Sequence, residues 1–375
     1  MIMKRSGSSD LPLHDGEAPS WLVSRMKKLA KPIVRAIIDD FGRDEFLRRL
    51  SNPYWFQSLG CVLGFDWHSS GLTTVTTGVL KDVINPEEHG IFVAGGKGKE
   101  SLKTPSEIEK FCESLNLSSR RIGSLKKASK LSAKVDNVAI QAGAPIYHHN
   151  FFGSEDGRWT VVQQGIDKEN QIARRYHWIS DEVESFVEDP HEAILTDEKK
   201  EKALNMTAKT SEECRNTSTD LVKDNPNRIK RDFQKILPEE QKSLLNWMPE
   251  KKNLDPSFDS FSLPKRMNWD ALENAYELQP QNYEKLIEIE GVGPATARGL
   301  ALVSEIIYGD EASWKDPAKY SFAFGGKDGV PYPVNRSAMD KAHKTLKAAV
   351  EEAEVGWKKK KKAIKRLKNF SSGEK

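Results

Sequence analysis

Ile146-Tyr-His-His-Asn-Phe-Phe-Gly-Ser-Glu-Asp-Gly-Arg-Trp-Thr-Val-Val-Gln-Gln-Gly-Ile166 reads as two β-type runs around a turn. Ile146 to Phe152 and Arg158 to Ile166 flank Ser154-Glu155-Asp156-Gly157, whose Asp-Gly pair is a hairpin signal. Alternate residues of a strand share a face, so His148 or His149 can approach Gln163 if the runs pair. A sheet therefore sits in a chain whose other patterns are mostly helical. The expected class is α+β, with a mixed N-terminal domain holding a small sheet and an all-α C-terminal domain.

Upstream, Gly90 to Ala94 is a short apolar run ending at Gly95-Gly96-Lys97-Gly98-Lys99. Thr104 to Leu115 reads as a helix opened by Thr104-Pro105, with Glu107 spaced for a capping box. Thr73 to Leu80 is rich in Thr and Val and falls in a region read as strands and loops. Pro53 to Phe65 is apolar enough to be core. Trp21, Leu22, Met26, Leu29, Ile33 and Ile37 recur at helical spacing, with Gly42 as a C-cap and Arg43 to Leu50 as a second helix. Downstream, Thr196 to Pro226 loses aromatics and reads as a linker or mobile insertion. Ile229 to Trp247, Trp269 to Tyr276 and Met339 to Ala353 read as helices. The expected organisation is a polar leader (1–18), an α+β domain that is a candidate catalytic domain (19–195), a mobile linker (196–226), a helical domain (227–354) and a basic tail (355–375).

The 375 residues are 37% apolar and 30% charged, which fits folded domains joined by solvated segments. No apolar run approaches the ~20 residues of a spanning helix, which argues against a membrane partner. Met1 to Asp10 lacks the apolar stretch of a secretory signal. Cys61, Cys112 and Cys214 are too few and too scattered for a disulfide scaffold or an all-cysteine zinc site, and fit a reducing cytoplasm.

Net charge is +3, but Trp357 to Lys375 holds nine Lys/Arg against one acid, so the rest of the chain is mildly acidic. The run Lys358 to Lys362, with Lys365, Arg366 and Lys368, is a polycation that a polyanion would relieve. Lys126, Lys130 and Lys134 recur every four residues and form one stripe on a helix. Either cluster alone is equally well a solvated face.

The most specific signal is Tyr283-Glu-Lys-Leu-Ile-Glu-Ile-Glu-Gly-Val-Gly-Pro-Ala-Thr-Ala-Arg-Gly-Leu-Ala-Leu-Val303. Tyr283, Leu286 and Ile289 make a short helix, and Gly291-Val292-Gly293 makes a tight turn. Pro294 suits the first position of a second helix, which runs to Tyr308 with Gly309 as its C-cap. The glycines permit left-handed torsions and close approach, while Val292 anchors the turn. Free amides at Ala295 and Thr296 meet the positive end of the helix dipole and suit a phosphate, with Thr296 and Arg298 placed to add side-chain contacts. This resembles the helix-hairpin-helix motif, which binds the sugar–phosphate backbone of DNA without reading sequence. An ordinary αα-hairpin is the alternative.

Further phrases are Leu11-Pro-Leu-His-Asp-Gly, Gly64-Phe-Asp-Trp-His-Ser-Ser-Gly, Phe92-Val-Ala-Gly-Gly-Lys-Gly-Lys, Tyr147-His-His, Val162-Gln-Gln-Gly and Phe324-Gly-Gly-Lys-Asp-Gly-Val-Pro-Tyr-Pro-Val. Together they resemble an uncharacterised, mainly archaeal family, domain of unknown function seven-six-three. The resemblance implies a cytosolic prokaryotic protein with a DNA-facing C-terminal part, and no activity.

Candidate chemistry lies in the N-terminal part, at Asp66, His68, Asp136, His148, His149 and Gln163. Asp66 and Asp136 with a histidine have the donor types of a divalent-metal phosphodiesterase, with Mg²⁺ or Mn²⁺ as the ion. Against that, Gln163-Gln164 stands where a nuclease wants acids, and lone Asp or His residues are more often structural. Gly95 to Lys99 lacks the phosphate-loop spacing. A glycosylase reading fails because Asn335, in Pro333-Val334-Asn335-Arg336, is an amide where a carboxylate is needed. The expectation is a sequence-non-specific DNA-binding protein of repair or recombination, acting through Gly291 to Arg298 with Lys358, Lys362, Lys365 and Arg366 as an electrostatic arm. The alternatives are a metal-dependent nuclease on DNA and a non-enzymatic adaptor, in which residues 196–226 and the tail recruit proteins. RNA stays open as a partner.

Overall fold

In a computed structural model the chain is an α+β protein. The structure describes residues 18–64, 71–170, 172–196, 198–237, 263–264, 267–318 and 320–321, and of the C-terminal stretch 344, 347–348, 350–351, 357, 360–361 and 363–365. In chain order the elements are α1 (Ser20–Ser51), α2 (Pro53–Leu63), α3 (Gly71–Val83), α4 (Pro86–His89), β1 (Ile91–Lys97), α5 (Thr104–Ser114), α6 (Ser119–Lys134), β2 (Ile140–Gln141), β3 (Ile146–Ser154), β4 (Trp159–Asp167), β5 (Ile172–Ile179), β6 (Ala193–Thr196), β7 (Leu204–Asn205), α7 (Glu212–Lys223), α8 (Pro226–Ile236), α9 (Trp269–Leu278), α10 (Tyr283–Glu288), α11 (Pro294–Val303) and β8 (Tyr320–Ser321).

The expected hairpin is the centre of the molecule. β3 and β4 pair antiparallel, and the turn closes with Gly157 at φ +92°. The six-stranded sheet has the order β1-β3-β4-β5-β6-β8, antiparallel except at β6–β8. β2 pairs with β7 in a small separate ribbon. Strand alternation sends Phe152, Val162 and Val93 to one face, where they meet α1, α2 and α3. Phe151, Val161, Tyr176 and Trp178 go to the other face, against α5, α6, α7 and the helices that follow. The sheet is thus covered on both sides.

Several elements form as their sequences predict. The first helix ends at Gly42, whose φ of +84° breaks the run before Arg43 restarts it. Gly309 sits left-handed after the turn that follows α11. Thr73 to Leu80, by contrast, is helix α3 and neither strand nor loop. Its Leu72, Thr73, Thr76, Thr77 and Leu80 are buried at helical spacing, so packing overrides the β preference of Thr and Val. Glu107 forms no capping box. Its carboxylate accepts from Lys81 Nζ (2.8 Å) and Gly95 N (2.7 Å), tying α5 to α3 and β1.

Residues 196–226 are not a solvated linker. They contain β7 and α7, and α7 buries Cys214, Arg215, Ser218, Leu221 and Val222. Much of the inward face is small or polar, which is why the stretch reads as solvent-exposed. Arg215 Nη1 donates to Met206 O (2.7 Å) and Ala208 O (2.8 Å) inside the protein. One apolar cluster runs without a break from the sheet face through α7 and α8 to α9, α10 and α11, so the expected N-terminal and C-terminal parts share a core. Residues 1–17, most of 238–266 and 322–343 lie outside the described residues, as does the end of the expected helix Ile229 to Trp247.

Candidate nucleic-acid interface

Asn282 caps α10 by accepting from Lys285 N at 2.9 Å, and α10 buries Tyr283, Leu286 and Ile287. The chain turns through Ile289 to Gly293 and re-enters helix at Pro294. Val292 is fully buried and anchors the turn, as expected. Gly291 has φ +82°, and a Cβ there would lie 2.8 Å from Asn268 Nδ2 and 2.9 Å from Ala271 Cβ. Gly293 is different. Its φ is −113°, and a Cβ would meet no heavy atom of the described residues closer than 4.0 Å. Of the two glycines, only Gly291 uses the left-handed torsion. Gly293 is the N-cap of α11 and offers no side chain to accept from that helix's first amides. Gly291, Pro294 and Ala295 are exposed, so the corner is at the surface.

Around this corner several expected contact residues have partners within the protein. Thr296 is buried, and its Oγ1 accepts from Asn268 N (3.2 Å). Arg298 is half-buried; its Nε donates to Gln141 Oε1 (3.0 Å) and its guanidinium lies 5.6 Å from the Trp314 ring centre. Gln141 Nε2 in turn donates to Pro294 O (2.8 Å). Of the α6 stripe, Lys126 pairs with Glu109 (2.9 Å). Lys134 Nζ donates to Val292 O (2.8 Å) and clamps the turn from behind. Burial first, and then the charge of Lys130, holds the Lys134 ammonium below its ordinary pKa. Lys130 is exposed, whereas Glu290 beside Gly291 is an exposed acid. In the tail, Lys358, Lys362 and Arg366 lie outside the described residues, and Lys365 is exposed. Val350 and Ala363 are buried in the apolar cluster of α1 to α3, so that part of the C-terminal stretch rests on the N-terminal helices.

The candidate catalytic residues divide three ways. Asp66 and His68 lie outside the described residues. His148 and His149, being neighbours on β3, face opposite sides of the sheet. His149 and Gln163 pair across β3 and β4, in line with the expectation from alternation, and belong to a buried chain with Asp136.

Gln163 Nε2 donates to Asp136 Oδ2 and to Ser132 O (3.0 Å). Its Oε1 is therefore the acceptor, 2.7 Å from His149 Nδ1, so Nδ1 carries the proton. His149 Nε2 then accepts from Ser129 Oγ (2.9 Å). Burial keeps His149 below its ordinary pKa, opposed by the Gln163 bond and the Asp136 charge. Asp136 also accepts from Trp178 Nε1 (2.9 Å) and bonds His191 Nε2.

The chain fastens α6 and the turn after it to the sheet and to the segment before β6. His191 and Trp178 were missed from sequence because a lone histidine after Asp-Pro and a strand tryptophan carry no motif. Among the described residues no group of three or more His, Cys, Asp or Glu is placed to hold a metal ion. The Gly95 to Lys99 stretch is the end of β1 and the start of a 3-10 turn. Its Gly95 amide, the group that would donate to a phosphate, is taken by Glu107.

These features define an α+β protein with a glycine-closed two-helix corner at its surface and a buried polar chain behind it. The chain belongs to the family described as Protein of unknown function (DUF763), whose model matches residues 7–334. No curated protein matches the chain, and no solved structure does. No described helix is long and apolar enough to cross a membrane.

Proposed function

We propose that the protein binds the sugar–phosphate backbone of DNA with little sequence preference, through the corner Gly291 to Ala295, in repair or recombination. The observation that carries this reading is the open ground in front of Gly293. The helix behind it begins without a side-chain cap, and no described residue stands closer than 4.0 Å to the missing Cβ. Amides at such a helix start bind one phosphate and favour negative charge. Lys130 and Lys365 add exposed positive charge. Among the described residues no group of three or more His, Cys, Asp or Glu could hold a metal ion, so the reading assigns no metal-dependent cleavage to Asp136.

Gly293→Asp tests it. The backbone there is extended, as an N-cap aspartate requires, so the substitution caps α11 and stabilises the fold by a few tenths of a kcal/mol. It also places a carboxylate where the phosphate would sit. Fluorescence anisotropy with two unrelated duplexes should give similar affinities that fall linearly with salt on logarithmic axes. The variant should bind about tenfold or more weakly, a single unfavourable contact of about 1.4 kcal/mol. Equal binding by wild type and variant would remove the corner from the interface.

A further inference from the structure

The solvent side of α1 carries one sign of charge over most of its length. From Ser20 to Ile38 the chain has five basic residues, Arg25, Lys27, Lys28, Lys31 and Arg35, and no acid. The inward side of this stretch, with Met26, Leu29, Ile33 and Ile37, fills the core. Helical spacing puts Trp21, Arg25, Lys28, Lys31 and Arg35 on the opposite stripe, and all of them are exposed. At the helical rise, Arg25 to Arg35 spans about 15 Å.

Two of the cations have acidic partners: Lys27 pairs with Asp82 (2.7 Å) and Arg35 with Asp39 (3.4 Å). Among the described residues Arg25, Lys28 and Lys31 form no ion pair. Arg25 and Lys28, Lys27 and Lys31, Lys28 and Lys31, and Lys31 and Arg35 are like charges three or four residues apart, a spacing at which they destabilise a helix. A helix face that is merely solvated gains support by mixing signs, and this one does not. The C-terminal stretch adds to the charge on this side. Its Ala363 is buried in the apolar cluster that α1 helps to build, and Lys361 and Lys365 are exposed.

A polyanion relieves such repulsion and releases counterions. Two features select among polyanions. The apolar side of α1 is committed to the core, so the helix has none to lay into a lipid surface. Trp21 heads the stripe, 59% exposed, with the Arg25 guanidinium 4.9 Å from its ring centre. An exposed indole beside a line of cations suits an unpaired base followed by its phosphates, whereas a duplex keeps its base faces stacked inside.

We propose that the α1 stripe binds single-stranded DNA, with a base on Trp21 and the backbone along Arg25, Lys28 and Lys31. α1 covers the sheet face opposite the one that carries α9 to α11, so the site is separate from the duplex-binding corner. The choice of DNA over RNA rests on the proposed function; the site itself does not.

The test is fluorescence anisotropy of the full chain with labelled oligothymidylate, with oligouridylate and with duplex DNA, beside co-sedimentation with phosphatidylserine vesicles. The double variant Lys28→Glu, Lys31→Glu should melt no lower than wild type, because the reversed charges would neighbour Arg25, Lys27 and Arg35 at attractive spacing. It should bind oligothymidylate about tenfold or more weakly, with a salt slope lower by about 1.4, two contacts at about 0.7 each. Trp21→Ala should weaken the single strand about fivefold or more, the loss of one base stack, and leave duplex binding as it is. Gly293→Asp should keep oligothymidylate binding while it loses duplex, so the two sites fail separately. Absence of saturable oligothymidylate binding, binding unchanged in either folded variant, or its loss in Gly293→Asp would overturn the proposal. Tighter binding of oligouridylate, or capture by vesicles in place of the oligonucleotide, would overturn it as well.

Discussion

At the scale of single residues, the two turn glycines have separate tasks. Gly291 is held by backbone torsion and by Asn268 and Ala271 within 3 Å of its missing Cβ. Gly291→Ala should cost about 1–3 kcal/mol through strain and displacement, read as a lower urea midpoint. The sequence shows two glycines and a proline in the right order but cannot separate these tasks, because the difference lies in what α9 brings against the turn. The same holds for Thr296. Its hydroxyl is placed in sequence for a phosphate, and the fold uses it to accept from the Asn268 amide.

At the scale of elements, α7 shows how a helix hides from composition. Beside Leu221 and Val222 it buries cysteine, serine, threonine and one internally bonded arginine, and so lacks the sustained apolar rhythm that marks α1. Its amides should exchange with deuterium as slowly as those of β4, since both border the same apolar cluster. A solvated linker would exchange within seconds, and mass-resolved exchange of peptides spanning 212–223 distinguishes the two. The hairpin β3–β4 was legible for the opposite reason. Its alternation and its Asp-Gly turn are local signals, and β1 and β5 pair with its two open edges without changing its register.

At the scale of the whole molecule, a buried ion pair joins the sheet to the chain beyond α11. Arg174 on β5 forks onto Asp316, with Nη1 to Oδ2 at 3.0 Å, and both side chains are 2% exposed. The same carboxylate accepts from Lys200 N (2.9 Å) and Ala318 N (2.9 Å). Burial alone would raise the Asp316 pKa. The Arg174 bond and charge and the two amides outweigh it and hold the carboxyl below its ordinary value. A depressed carboxyl contributes stability that is present above the unfolded pKa and is lost as pH falls through the folded one. The urea midpoint should therefore drop as pH falls below about 4, the unfolded carboxyl value. Asp316→Asn should flatten that slope and cost about 3–5 kcal/mol at neutral pH by leaving a buried guanidinium unpaired.

Local pattern alone determined the β-hairpin, the first helix with its glycine break, and the helix–turn–helix of residues 283–303, since torsional preference and periodicity act between near neighbours. Tertiary packing alone decided that residues 212–223 are interior and that Asp136 bonds to Gln163, His191 and Trp178. Those outcomes depend on which distant groups meet once water is excluded, and no spacing along the chain records that.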